Sequence, residues 1–258
     1  MTSPFDEVAE IYNRARPEYP PPLIDALFDL VPDRVPLRTV EVGPGTGQLT
    51  GALLGRGAHV TAVEQGPNLA ALLARRFRRQ PHLAVVNARF EDAALPEGAW
   101  DLVASATAYH WVTPDARMAR PHALLVPGGL LAIIDTVQIA SPADRGYFAR
   151  SHPIYAQYWP EQGPHRPGPA EDADHPLAEE MRACGLFDDV RIRRWRWDAV
   201  YDVDRYEDLV RSYSNTNELP PDVRERFIAD IRAMVASEEG GIVIRPRVAV
   251  LITGRRSR

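Results

Sequence analysis

The sequence has no lysine: all 30 of its basic residues are arginine. That absence excludes phosphate binding through a Walker-type lysine, lysine Schiff-base chemistry, and the Tyr-x-x-x-Lys dyad of one nicotinamide-dependent class. Cys184 is the single cysteine, so neither an intrachain disulfide nor a cysteine-rich metal site is available, and it reads as a small core residue beside Gly185. No stretch approaches the roughly 18 consecutive apolar residues that a membrane helix needs. Residues 1–7 lack the cationic segment and apolar run of a secretory leader, so a cytoplasmic protein with no membrane partner is expected. A net charge of −5 argues against a broad nucleic-acid footprint, and the run Arg75-Arg76-Phe77-Arg78-Arg79 reads as the solvated end of an amphipathic helix. His122, His152, His165 and His175 show no ligand spacing, so no metal site is expected.

What is present is 258 residues of ordinary globular composition, 45% hydrophobic, enough for a single domain over 1–258. Helical spacing over 5–13 and a proline-started helix over 21–30 form an N-terminal cover, residues 1–36. From 37 to 136 strand patterns at 38–42, 60–64, 84–87, 100–105 and 130–136 alternate with helical ones at 46–54, 68–77 and 114–125. That alternation implies an α/β fold with a doubly wound, mostly parallel sheet. Residues 137–185, rich over 141–174 in proline, histidine and aromatics, read as a helical lid or substrate insertion, or else as a packed surface elaboration. Residues 186–258 supply two helices and an antiparallel strand pair, 190–197 and 242–253, which makes the sheet seven-stranded.

The stretch Thr39-Val40-Glu41-Val42-Gly43-Pro44-Gly45-Thr46-Gly47 reads as a buried strand entering a glycine turn and a helix start. Glycines at 43, 45 and 47 permit positive φ and the close approach of a ligand, and the helix they open presents free N–H groups. Glu64 ends the next strand, where a carboxylate accepts hydrogen bonds from both hydroxyls of a ribose. Dinucleotide folds prefer Gly-x-Gly-x-x-Gly, whereas the spacing here is Gly-x-Gly-x-Gly with Glu41 two positions before it. A carboxylate there repels a pyrophosphate and suits a cationic sulfonium or ammonium.

On Glu41-x-Gly43-x-Gly45-x-Gly47, Glu64, Arg89-Phe90-Glu91-Asp92, Trp100-Asp101-Leu102-Val103 and Leu125-Val126-Pro127-Gly128-Gly129-Leu130, the chain resembles the Rossmann-like S-adenosylmethionine-dependent methyltransferases with a type 11/25 domain. The segments Ile11-Tyr12-Asn13-Arg14-Ala15-Arg16-Pro17-Glu18-Tyr19-Pro20 and Ala106-Thr107-Ala108-Tyr109-His110-Trp111-Val112 are similar to those of its trans-aconitate methyltransferase-like branch. The resemblance implies that Gly43, Gly45 and Gly47 pass under S-adenosylmethionine, with Glu41 near the methionine ammonium. It also implies Glu64 on the ribose, Gln65 beside the adenine, and Arg89, Phe90 and Glu91 at the adenine edge. Tyr12 and Arg16 either close the methionine end or serve the entry helix and turn. His110 is the candidate general base, or else a histidine packed on Trp111, and Tyr109 is a candidate for the acceptor pocket. The absence of an Asn-Pro-Pro-Tyr-like segment argues against methylation of nucleic-acid bases, and Asp135-Thr136 does not support a metal-dependent catechol-type site. The expected activity is methyl transfer to an O, N or C nucleophile of a small organic molecule. A non-catalytic cofactor-binding protein and a nicotinamide-dependent oxidoreductase are the alternatives. Oligomeric state is not legible.

Overall fold

The computed structural model describes residues 19–31, 35–161 and 175–257. The helix expected over 5–13, together with Tyr12 and Arg16, lies outside the described residues, as does the 162–174 part of the expected lid. The first described helix, α1 (Pro21–Phe28), starts on proline as its fixed φ allows, and it buries Leu23, Ile24, Ala26 and Leu27. After it come β1 (Arg38–Val42), α2 (Gln48–Gly55), β2 (His59–Glu64), α3 (Pro67–Arg76), β3 (Leu83–Asn87), β4 (Trp100–Ala106), α4 (Pro114–Leu124) and β5 (Leu125–Gln138). The C-terminal part comprises α5 (Tyr147–Tyr158), α6 (Pro176–Ala183), β6 (Phe187–Asp202), α7 (Val203–Arg211), α8 (Ser214–Asn217), α9 (Pro221–Ala236) and β7 (Ile242–Arg256).

Seven strands form one sheet in the order β3-β2-β1-β4-β5-β7-β6, parallel from β1 to β5, with β7 antiparallel to both its neighbours. The expected doubly wound sheet with its antiparallel C-terminal pair is therefore what forms. Residues Thr39 to Val42 are buried on both faces, as a central parallel strand covered by helices requires. One face packs Val40, Val103, Leu131, Ile133 and Val250 against α4 and α6, and the other packs Ala62, Leu102, Ala132, Ile134 and Leu251 against α1 and α2. Between β1 and β4 the chain order reverses, which opens a crevice at the carboxyl ends of the strands.

Two elements run longer than their sequence patterns suggest. β5 begins at Leu125, directly after α4, because Gly128 takes φ +77° and the pairing with β4 shifts between Trp100 and Leu102. β6 reaches from Phe187 to Asp202 as the sheet edge, with a register break between Asp188 and Arg191 where Asp189 has φ +53°. The far ends of β6 and β7 carry a third, aromatic core in which α5 meets α7 and α9. There Trp159 and Tyr155 set their rings edge-on against Phe227 at 4.8 and 5.2 Å. Among the described residues no helix is long and apolar enough to cross a membrane.

Candidate functional site

The crevice holds a cavity of about 290 Å³ that runs along the carboxyl ends of the parallel strands. Its β1–β2 end is lined by Gly43, Gly45, Glu64, Gln65, Phe90 and Glu91, and its β5–β7 end by Asp135, Thr136, Gln138, Tyr213 and Arg247, with His110 and Trp111 also in the wall. Seven of the residues singled out in the sequence thus converge on one space.

Local geometry explains the floor. Gly43 has φ +63°, and a Cβ placed there would lie 2.5 Å from the Ala108 Cβ, so only glycine fits. Ala108 comes that close because Thr107 turns the chain at the end of β4 with φ +53°, an unusual conformation for a β-branched residue. Thr107 is held by its N–H donating to Ile134 O at 2.8 Å and by a 3.2 Å bond between its Oγ1 and Tyr19 Oη. Thr107 and Ala108 were named in the sequence only within the segment 106–112 and given no role there, because no local signal marks a positive φ at a threonine.

The N–H groups of the glycine turn are used inside the protein. Gly43 donates to Val63 O at 2.9 Å, Gly45 to Glu64 Oε2 at 3.0 Å, and Gly47 to Pro44 O at 2.9 Å. These three glycine N–H groups are therefore bonded within the protein, and the glycines contribute the bare floor and the turn geometry. Gly66 N donates to Glu64 Oε1 at 2.9 Å, which fixes the Glu64 carboxylate at the wall.

Several residues sit elsewhere than expected. Glu41 is 1% exposed and lies beneath the turn, accepting from Thr50 Oγ1 at 2.6 Å, and it is not part of the cavity wall. Burial pushes its carboxyl up to about 8, with the nearby Glu64 adding to the rise and the Thr50 bond opposing it. At neutral pH Glu41 is thus mostly uncharged, and its charge does not select a cationic ligand. Gly47 also stays off the wall: it has φ +94°, and a Cβ there would meet Phe77 and Leu73 at 2.5 and 2.6 Å. It serves the seam between α2 and α3. Arg89 is exposed and stands outside the wall, 3.3 Å from Glu91 and 3.9 Å from Asp92. Tyr109 is buried, donating to Arg117 O at 2.6 Å, and does not line the cavity.

His110 lies on a short 3-10 turn (Tyr109–Trp111), with its ring 5.3 Å from that of Trp111, so it both packs on the tryptophan and faces the cavity. Burial lowers its pKa below the usual histidine value, Arg117 adds to this, and Asp135 opposes it. Glu91 accepts from Thr113 N at 2.9 Å and from Arg89 at 3.3 Å; its pKa is lowered, since these bonds outweigh the opposing effect of burial, its largest single influence. At the β5 end Asp135 Oδ2 is 3.1 Å from His175 Nε2, and because His175 Nδ1 accepts from Leu177 N, Nε2 carries the proton. Asp135, Gln138, Tyr213 and Arg247 were not singled out as site residues. Asp135 and Gln138 reach the wall at the carboxyl end of β5, Arg247 through the pairing of β7 with β5, and Tyr213 from the segment after α7. Among the described residues no group of three or more His, Cys, Asp or Glu side chains is arranged to hold a metal ion.

Residues 40–133 match the family described as a methyltransferase domain. An uncharacterized methyltransferase of Mycobacterium tuberculosis is 33% identical over 134 residues, 52% of this chain and 52% of that protein, so the chain spans about half the length of that relative. Among solved structures, one designated a type II methyltransferase from Anaeromyxobacter dehalogenans superposes with a TM-score of 0.65 at 21% identity, covering 93% of this chain and 97% of that one. Phosphoethanolamine N-methyltransferase 2 of Haemonchus contortus, bound to phosphomonomethylethanolamine and S-adenosylhomocysteine, superposes with a TM-score of 0.57 at 13% identity, covering 98% and 58%. These similarities identify the fold as that of the α/β methyltransferases.

Proposed function

We propose, from the premise that residues 40–133 belong to the Rossmann-like S-adenosylmethionine-dependent methyltransferases, that this chain transfers a methyl group to an O, N or C nucleophile of a small organic molecule. The observation that carries the reading is the shape of the β1–β2 end of the cavity. Its floor is bare at Gly43, where a Cβ would meet Ala108, and Glu64 is held on the wall at the end of β2 by the N–H groups of Gly45 and Gly66.

In this reading Glu64 holds the ribose hydroxyls, while Gln65, Phe90 and Glu91 bound the adenine side, Phe90 offering an apolar surface and Glu91 an acceptor. Gly43 and Gly45 lie under the methionine portion, and Tyr12 and Arg16 are assigned to its far end on the motif alone. S-adenosylmethionine supplies an electrophilic methyl group: the acceptor's lone pair forms the new bond to carbon, and the C–S pair returns to sulfur. No acid is needed for the leaving group, so the protein's part is alignment, exclusion of water and removal of a proton where the nucleophile bears one. His110, unprotonated at neutral pH because burial lowers its pKa, is placed to take that proton. A small acceptor suits the walled cavity, and the Haemonchus contortus neighbour holds one of that size. The aromatic-His-Trp segment Tyr109-His110-Trp111 supports the trans-aconitate methyltransferase-like branch.

Calorimetric titration with S-adenosylmethionine and with NAD tests the donor half. Binding of the first, weakened about 10-fold or more by Glu64→Ala, is expected, with no binding of the second. Tighter binding of NAD, or indifference to Glu64→Ala, would overturn it. His110→Ala should keep donor affinity and lose roughly 100-fold in turnover, whereas binding without turnover in the unaltered protein would favour a non-catalytic role.

A further inference from the structure

Two arginines lie two residues apart on β7, and so on the same face of the sheet, and both are buried: Arg245 at 2% and Arg247 at 4% exposure. Their surroundings differ. Arg245 donates from Nη1 to Tyr206 Oη and from Nη2 to Gln138 Oε1, and its guanidinium lies 3.7 Å from the centre of the Tyr147 ring. Only its Nε lacks a partner. Arg247 is buried with both Nε and Nη2 unpartnered, and no carboxylate among the described residues pairs with it. It is also a wall residue of the cavity, at the end away from Glu64.

A buried guanidinium without a counter-charge is among the more costly features a fold can keep, unless a ligand completes it. Resting on the methyltransferase reading, we propose that Arg247 anchors the acceptor through a carboxylate remote from the atom that takes the methyl group. Sheet topology places it there: β7 is three strand spacings from β1, about 14 Å at roughly 4.8 Å each, beyond the glycine turn and on the far side of β4 and β5. One arginine presents a planar fork that matches a carboxylate and balances a single charge, whereas a phosphate monoester carries about two at neutral pH. The wall's other charge at this end, Asp135, does not oppose this. Asp135 shares its side of β5 with Ile133, whereas Gln138, the register partner of Arg247, shares the opposite side with Ile134; Asp135 is also bonded to His175.

The test compares the full-length protein with Arg247→Met and Arg245→Met. Without ligand, Arg247→Met should melt about 2–4 °C higher, since it removes an unpaired buried charge, while Arg245→Met should melt lower because Tyr206 and Gln138 lose their donor. With saturating S-adenosylhomocysteine, a panel of small aliphatic and aromatic carboxylates is set beside the matching primary amides and glycerol phosphate, and binding is read by thermal shift and titration. Carboxylates should bind the unaltered protein, the amides should not, and Arg247→Met should lose about 10- to 100-fold in carboxylate affinity with S-adenosylmethionine affinity unchanged. Four results would overturn the proposal: destabilisation by Arg247→Met, a preference for glycerol phosphate, no difference between acids and amides, or loss of S-adenosylmethionine affinity in Arg247→Met. In the last case the arginine holds the donor's own carboxylate and the methyltransferase reading survives. Failure of the unaltered protein to bind S-adenosylmethionine at all would instead remove that reading.

Discussion

Glu41 lies one residue before the end of β1 and Glu64 ends the adjacent parallel strand β2, and the fold treats their carboxyl groups in opposite ways. Glu64 is given two backbone donors and a place on the cavity wall, while Glu41 is sealed under the turn with one hydroxyl. A carboxyl that titrates at about 8 in the fold, against 4.5 in the open chain, keeps its proton where the unfolded chain has released it. Its contribution is complete below about 4.5 and is lost as pH rises through about 8. Glu41→Gln should therefore gain stability relative to the unaltered protein between pH 5 and pH 8, by roughly 3–5 kcal/mol, read from melting curves at both values. A gap that does not change with pH would contradict the buried, protonated state. His110 titrates the other way: its pKa is lowered, so methyl transfer should rise with pH through a midpoint below 6.5 and then level off. His110→Gln should flatten that step, and a step that survives the substitution would assign it to another group.

At the scale of elements, the glycine turn divides into a part that faces the cavity and a part that packs helices. Gly43→Ala forces a Cβ against Ala108 on the cavity floor and should lower both stability and donor affinity. Gly47→Ala pushes into Phe77 and Leu73 between α2 and α3, and should cost about 1–3 kcal/mol of stability while leaving donor affinity within about threefold. Equal losses of affinity in the two variants would contradict this division. The motif was legible in the sequence because strand, glycine turn and Glu64 are local signals. The separate duties of its glycines were not, since they depend on where Phe77 and Ala108 arrive from other elements. The β5–β7 wall was illegible for a related reason. Arg247 reads in the sequence as one polar residue in an alternating strand, and only the register that pairs it with Gln138 and Trp197 brings it to the site.

At the scale of the molecule, a sheet whose order reverses between β1 and β4 creates one crevice, and the antiparallel β6–β7 pair carries a separate aromatic core with α5, α7 and α9. The strand and helix alternation made the parallel half predictable from periodicity alone. The aromatic core of α5, α7 and α9 joins segments far apart in the chain, so no local pattern announced it. The proposed reading assigns the two ends of the cavity to two ligands, a nucleoside at β1–β2 and an acceptor at β5–β7. A crystal structure of the protein with S-adenosylhomocysteine examines that division most directly. The expected density has the ribose hydroxyls on Glu64, the adenine beside Phe90, and the β5–β7 end open at Arg247. A nucleoside placed at the β5–β7 end, or its carboxylate seated on Arg247, would contradict it.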